Sequence, residues 1–353
     1  MTKQNRARVA GMAGFVLALH LLGWGLLLLA VVPGGYHIGP ADVFGVGLGV
    51  TAYLLGARHA FDADHVAAID NTTRKLMSEG RTAPTVGFWF ALGHSTVVIG
   101  LCVLLVFGAQ ALAGPVADDG SALHNTTGVI GSLVSGMFLL LIGLVNLLAL
   151  RHILRMVRRM RRGEYDDAEL ERRLDERGFL ARLLRGVIGR IREPTHMYPL
   201  GFLFGLGFDT ATEVSLLILA GGAAAGRLPW FAILTLPVLF TAGMTLFDGL
   251  NGFVMTYAYG WSYASPARKV YYNLVITGLS VAIALLIGGH QLVGLLAERL
   301  HVTDGPPAWI AGLDLGTLGF VIVGMFLLTW IAAVTVWRFG KVEQRWAPRS
   351  PAE

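Results

Sequence analysis

Between Gly56 and Val66 the chain reads Arg58-His59-Ala60-Phe61-Asp62-Ala63-Asp64-His65. Two imidazoles, two carboxylates and a guanidinium thus lie inside an apolar run long enough to cross a bilayer. Such groups cost several kcal/mol at that depth unless they are paired or bound, so the segment reads as a functional site. Imidazole plus carboxylate is donor chemistry for a divalent transition metal. At about 100° per residue, His59, Asp62 and His65 fall within an arc of roughly 120°, whereas Asp64 points nearly opposite to Asp62. One unbroken helix cannot turn all four toward one ion. Either Asp64 serves another partner, or the helix unwinds near Ala60–Ala63, as transporter helices often do at a substrate site. The alternative without a metal is an Arg58–Asp62 ion pair, with the histidines hydrogen-bonded to neighbouring helices.

Three further apolar runs carry polar groups. Gly93-His94-Ser95-Thr96 places a histidine where an interhelical hydrogen bond would also explain it. Its weight as a ligand comes from the histidines and acids of the first motif. Gly207-Phe208-Asp209-Thr210-Ala211-Thr212-Glu213 places Asp209 and Glu213 one helical turn apart, where two carboxylates repel unless one is protonated or a cation sits between them. Gly243 to Gly252 contributes Asp248, with Asn251 as a neutral oxygen donor three residues later. Tyr257, Tyr259, Trp261 and Tyr263 read as an interfacial aromatic belt.

The elements that must position these groups are membrane helices. The 353 residues are 54% hydrophobic and only 14% charged, too little charge for a soluble domain. Eight spans of about 20 residues or more are predicted, at roughly 9–32, 41–69, 84–107, 127–150, 198–222, 229–255, 269–296 and 313–337. The fold class is therefore an all-α polytopic membrane protein. Helices one to four occupy 1–150, an Arg-rich loop 151–196, helices five to eight 197–340, and a tail 341–353. Thirteen of the 28 Lys and Arg residues lie between Arg151 and Arg192. With Arg74, Lys75, Arg81 and Arg338, they mark the cytoplasmic side and put both termini there. The basic charge reads as topology and contact with anionic lipid, with no nucleic-acid partner implied. The lone Cys102 excludes an intrachain disulfide and a thiolate-rich metal site. Glycines such as Gly201 and Gly205 let helices approach closely.

Phe61-Asp62-Ala63-Asp64-His65 is faintly echoed by Phe208-Asp209-Thr210-Ala211-Thr212-Glu213. Since the two helices run in opposite senses, helices two to four are expected to form an inverted repeat with helices five to seven.

Together the motifs resemble the nickel/cobalt transporter (NiCoT) family. His59 to His65 fits the family's His-x4-Asp-His pattern in the second helix. Leu92 to Val98, Gly207 to Glu213, and Phe240 to Asp248 with Tyr257-Ala258-Tyr259 resemble its third, fifth and sixth helices. One departure is Asp248-Gly249-Leu250-Asn251-Gly252, where the family pattern has a second acid in place of Asn251. The resemblance implies an eight-helix secondary permease of the cytoplasmic membrane, not an enzyme, importing Ni²⁺ and/or Co²⁺ as substrate without a cofactor. His59 and His65 would be nitrogen ligands, Asp62 or Asp64 would add oxygen, and His94 would complete the site. Asp209, Glu213, Asp248 and Asn251 would line the path. A metal efflux permease and an intramembrane metal-dependent enzyme are the alternatives. No phosphate-binding loop is present, so membrane potential or protons would drive transport.

Overall fold

The computed structural model describes residues 3–37, 43–107, 121–161, 191–206, 228–262 and 266–313, with scattered positions from 321 to 335. The described elements are helical. They are α1 (Lys3–Leu26, continued by a π-turn to Gly34), α2 (Val46–His59), α3 (Ala63–Ser78), α4 (Val86–Phe107) and α5 (Ala122–Arg161). They continue with α6 (Met197–Phe204), α7 (Trp230–Ser262), α8 (Pro266–Arg299) and α9 (Gly305–Ala311). Among the described residues, five helices are long and apolar enough to cross a membrane: Lys3–Gly34, Val86–Leu104, Gly128–Leu148, Trp230–Gly260 and Thr277–Arg299.

The expected second span is two helices, α2 and α3, neither of which reaches membrane length alone. Most of the expected fifth and eighth spans, with Asp209 and Glu213, lie outside the described residues. Two local expectations are corrected. Arg74 is not a loop cation: it is part of α3 and only 3% exposed. Tyr259 is not at an interface: it is 1% exposed, with its hydroxyl donating to Asp70. Charge and aromaticity counted along the chain do not distinguish a snorkelling side chain from one turned inward to a polar partner.

α7 is the central helix, packed against α1, α2, α3 and α4, while α5 packs on α8 and α6 on α4. In lipid there is no hydrophobic drive between helices, so close approach over small residues supplies the packing. Two crossings show this with the same residues in the same roles. Where α2 meets α7, a Cβ on Gly56 would strike the Phe240 carbonyl, and one on Gly243 would strike the Tyr53 carbonyl. Where α6 meets α4, a Cβ on Gly201 would strike the Phe90 carbonyl, and one on Gly93 the Tyr198 carbonyl. Tyr53-x-x-Gly56 thus corresponds to Tyr198-x-x-Gly201, and Phe240-x-x-Gly243 to Phe90-x-x-Gly93. The ring pairs correspond as well: His59 lies against Phe240 with centroids 6.0 Å apart, and Phe204 against Phe90 at 5.1 Å.

Candidate metal centre

The site is built on the break between α2 and α3. α2 ends at His59; Phe61 and Asp62 donate their amides back to Arg58 and His59 in a tightening turn. Asp62 then becomes extended (φ −62°, ψ 142°) and stands as the residue before α3. Aspartate favours that position because its short side chain tolerates a non-helical backbone. Here it does not cap the helix, and its carboxylate turns back to His59, with Oδ2 2.7 Å from Nδ1. The C-terminal end of α2, where carbonyls carry partial negative charge, thus lies next to the imidazole of its own last residue.

His65, one turn into α3, meets this imidazole from the other side of the break, and His94 reaches it from the middle of α4. The three rings form a near-equilateral triangle, with centroids 4.5 Å (His59–His65), 4.8 Å (His59–His94) and 4.9 Å (His65–His94) apart. One potential ligand atom from each lies within 4.8 Å of the others. His59 Nε2 and His94 Nε2 are 3.2 Å apart. Two imidazole nitrogens bound to one ion at about 2.0–2.1 Å stand about 3.0–3.4 Å apart when they are adjacent ligands. That pair is therefore already at ligand spacing, and small rotations of His65 would complete a three-nitrogen set.

Carboxylates fix two of the rings. Asp62 accepts from His59 Nδ1–H. Asp248, on α7 and wholly buried, accepts from His65 Nδ1–H at 3.0 Å. Each carboxylate leaves the Nε2 lone pair of its imidazole for the centre, the usual arrangement behind a metal-binding histidine. With a metal bound and the imidazoles neutral, the two carboxylates would carry two negative charges, matching one divalent ion. Phe90 stands edge-on to His65 at 4.7 Å and helps to exclude water. Asp248→Asn should weaken Ni²⁺ binding about 10- to 100-fold, the usual cost of losing such a partner. Equilibrium dialysis of the purified protein against ⁶³Ni²⁺ checks this.

The remaining sequence-predicted residues have other surroundings. Asp64 faces away from the triad: Oδ2 accepts from Ser135 (3.3 Å) and Gln291 (3.2 Å), and Oδ1 from the His65 amide (2.9 Å). Asn251 is half-buried on α7, and its Nδ2 has no hydrogen-bond partner among the described residues. Sequence reasoning missed the buried set of Asp70, Asn71, Arg74 and Asn146. The signal available was that polar residues continue past His65 through Asp70-Asn71-Thr72-Thr73-Arg74.

Comparison with known proteins agrees with this chemistry. The sequence profile of the NicO family, described as high-affinity nickel-transport protein, matches residues 45–336. The chain is 55% identical to the nickel transporter NicT of Mycobacterium tuberculosis, over 98% of this chain and 95% of that protein. It is 42% identical to the nickel transporter NixA of Staphylococcus aureus, over 94% and 95% of the two chains. It is 41% identical to the cobalt transport protein NhlF of Rhodococcus rhodochrous, over 94% and 93%. No solved structure matches the chain. With the profile covering most of its length and relatives aligned nearly end to end, the chain belongs to the NicO/NiCoT family of high-affinity nickel and cobalt transporters, multi-pass membrane proteins rather than enzymes.

Proposed function

We propose that this protein is a secondary carrier that imports Ni²⁺ and/or Co²⁺ across the cytoplasmic membrane. The observation that carries the reading is the triad of His59, His65 and His94, with carboxylates behind two of its rings. The likeness to the nickel transporters NicT and NixA and to the cobalt transport protein NhlF supports both cargo ions. In this reading the imidazoles are the ligands, and Asp62 and Asp248 orient them and supply charge. Asp62, 30% exposed at its side chain, is the group an arriving hydrated ion would meet first. Asp64 acts at a distance by holding the start of α3 to α5 and α8, and Asn251 lies on the path beyond Asp248. Asp209 and Glu213 extend the acidic path within the part of the fifth helix outside the described residues.

Imidazole and carboxylate accept several divalent ions, so donor type alone does not select nickel or cobalt. A membrane potential of about 100 mV, inside negative, favours influx of a divalent ion by about 4.6 kcal/mol. That corresponds to roughly a 2,000-fold gradient, which suffices for a trace metal without ATP.

The eight-span topology with cytoplasmic termini, and an inverted repeat of helices two to four with five to seven, are part of this proposal. The matching Tyr-x-x-Gly and Phe-x-x-Gly crossings support the repeat. They pair α2 with α6 and α4 with α7, the order it requires, and would place the triad where one half rocks against the other. Proteoliposomes test the transport reading. An imposed inside-negative potential should drive ⁶³Ni²⁺ or ⁵⁷Co²⁺ accumulation at least tenfold above zero potential. In cells, reduced accumulation on expression would instead indicate an efflux permease.

A further inference from the structure

Beyond the triad along α3 lies a second buried polar group that the carrier site does not use. Asp70, Asn71 and Arg74 are 0%, 0% and 3% exposed. Tyr259 of α7 donates its hydroxyl to Asp70 Oδ1. Arg74 Nη2 donates to Asn71 Oδ1 at 2.6 Å, and Asn146 Nδ2 of α5 donates to the same oxygen at 2.7 Å. Arg74 and Ser280 stand beside the Asp70 carboxyl. Yet Asp70 Oδ2, Arg74 Nε and Arg74 Nη1 have no hydrogen-bond partner among the described residues, although all are buried. A buried carboxylate oxygen and two buried guanidinium nitrogens left open together are expensive and call for an explanation.

Position supplies one. Asp70 is five residues past His65 on α3, about 7.5 Å further along the helix axis. On α7, Asp248 and Tyr259 are eleven residues apart, close to three full turns, and so share a face. The same two helices are thus linked twice, first by His65–Asp248 at the triad and then by Asp70–Tyr259 beyond it. Asn251 lies between the two levels along α7.

We propose that Asp70 is a second cation position on the release side of the histidine triad, with Arg74 as the tethered cation that neutralises it when no metal is there. The inference rests on the carrier reading above. The donors available at this level are oxygens: the Asp70 carboxylate, the Asn71 amide oxygen and the Tyr259 phenol. They suit a borderline transition ion less well than imidazoles do, which is what a release position needs. An ion passing from nitrogen to oxygen ligands would move Arg74 aside, and the return of Arg74 would expel it. No covalent or redox step is involved.

The test uses the full-length protein in nanodiscs, dialysed against ⁶³Ni²⁺. Arg74→Gln should bind a second equivalent at least tenfold more weakly than the first, and adding Asp70→Asn should remove it. Asp70→Asn alone should keep the tight equivalent while uptake into proteoliposomes falls at least tenfold. A single equivalent in folded Arg74→Gln protein, or wild-type uptake by Asp70→Asn, overturns the proposal. Should Arg74→Gln not fold, Arg74→Met keeps the bulk of the buried stem and removes the charge, and the second equivalent must appear there or the proposal fails. His59→Ala separates the two readings. If it retains tight binding and uptake, the triad assignment fails whatever Asp70 does.

Discussion

His94→Ala should reduce ⁶³Ni²⁺ accumulation at submicromolar metal by at least about 100-fold and remove tight binding by the purified protein. Losing a group behind a ligand already costs about 10- to 100-fold, and in the proposed reading His94 is a ligand itself. It is 3% exposed and stands on α4, across the site from the α2–α3 break that carries the other two histidines. In the proposed reading it is the imidazole that would tie α4 to α2 and α3 through the ion. Its removal leaves His59 Nε2 without the neighbour 3.2 Å away, and two nitrogens cannot enclose a divalent ion in three-fold fashion. A water filling the space would replace a strong donor with a weak one. The packing cost is a separate matter: truncating a buried side chain leaves a cavity. Folded yield is therefore measured alongside uptake. Normal accumulation by well-folded His94→Ala protein would remove the triad as the transport site.

Much of this centre could be read from the chain before any coordinates. His59, Asp62 and His65 stand out because charge inside an apolar run demands a reason, and angular bookkeeping shows that an unbroken helix cannot turn these three and Asp64 toward one point. The break at Ala60–Asp62 is the answer the structure gives. Asp64 is then free to bond Ser135 and Gln291, one of the two outcomes the helical period leaves open. Periodicity could not show that Asp248 would hold His65. The two are separated by 183 residues, and hydropathy gives no register between helices so far apart. Nor could it show Asp70 and Tyr259 as partners. Tyr259 sits among other aromatics near a helix end, where an interfacial role is the ordinary reading. Arg74 misleads for the same reason, since a positive charge past a span normally reports the cytoplasm. The apolar stretch 41–69 reads as one span because hydropathy averages over the turn, whereas the backbone there makes two short helices.

Glycine to alanine at the two crossings provides the last large contrast. Gly56→Ala and Gly201→Ala should each reduce the folded yield of the protein sharply, whereas Gly11→Ala and Gly100→Ala should not. The chemical change is one methyl group in every case, and alanine is the better helix former by about 0.8–1.0 kcal/mol, so intrinsic propensity favours all four variants. What differs is the space. A Cβ at Gly11 or Gly100 meets nothing within 4 Å. At Gly56 it would strike the Phe240 carbonyl, and at Gly201 the Phe90 carbonyl. Those atoms belong to helix backbone, which cannot rotate away as a side chain can. The helices must separate, and the overpacking cost of about 1–3 kcal/mol seen in ordinary cores is a lower bound here. Against a total stability of about 5–15 kcal/mol, a loss above about 3 kcal/mol lowers the folded-to-unfolded ratio by roughly 100-fold or more. Gly56 lies three residues from His59, so Gly56→Ala also shifts the triad. Gly201 lies on α6, which contributes no triad histidine, so a matching loss there reports the crossing itself. Fluorescence-detected size-exclusion chromatography of detergent extracts measures all four variants under one condition. Equal yields across them would mean that the helices part without cost, and the close crossings would then not be what holds α2 to α7 and α4 to α6.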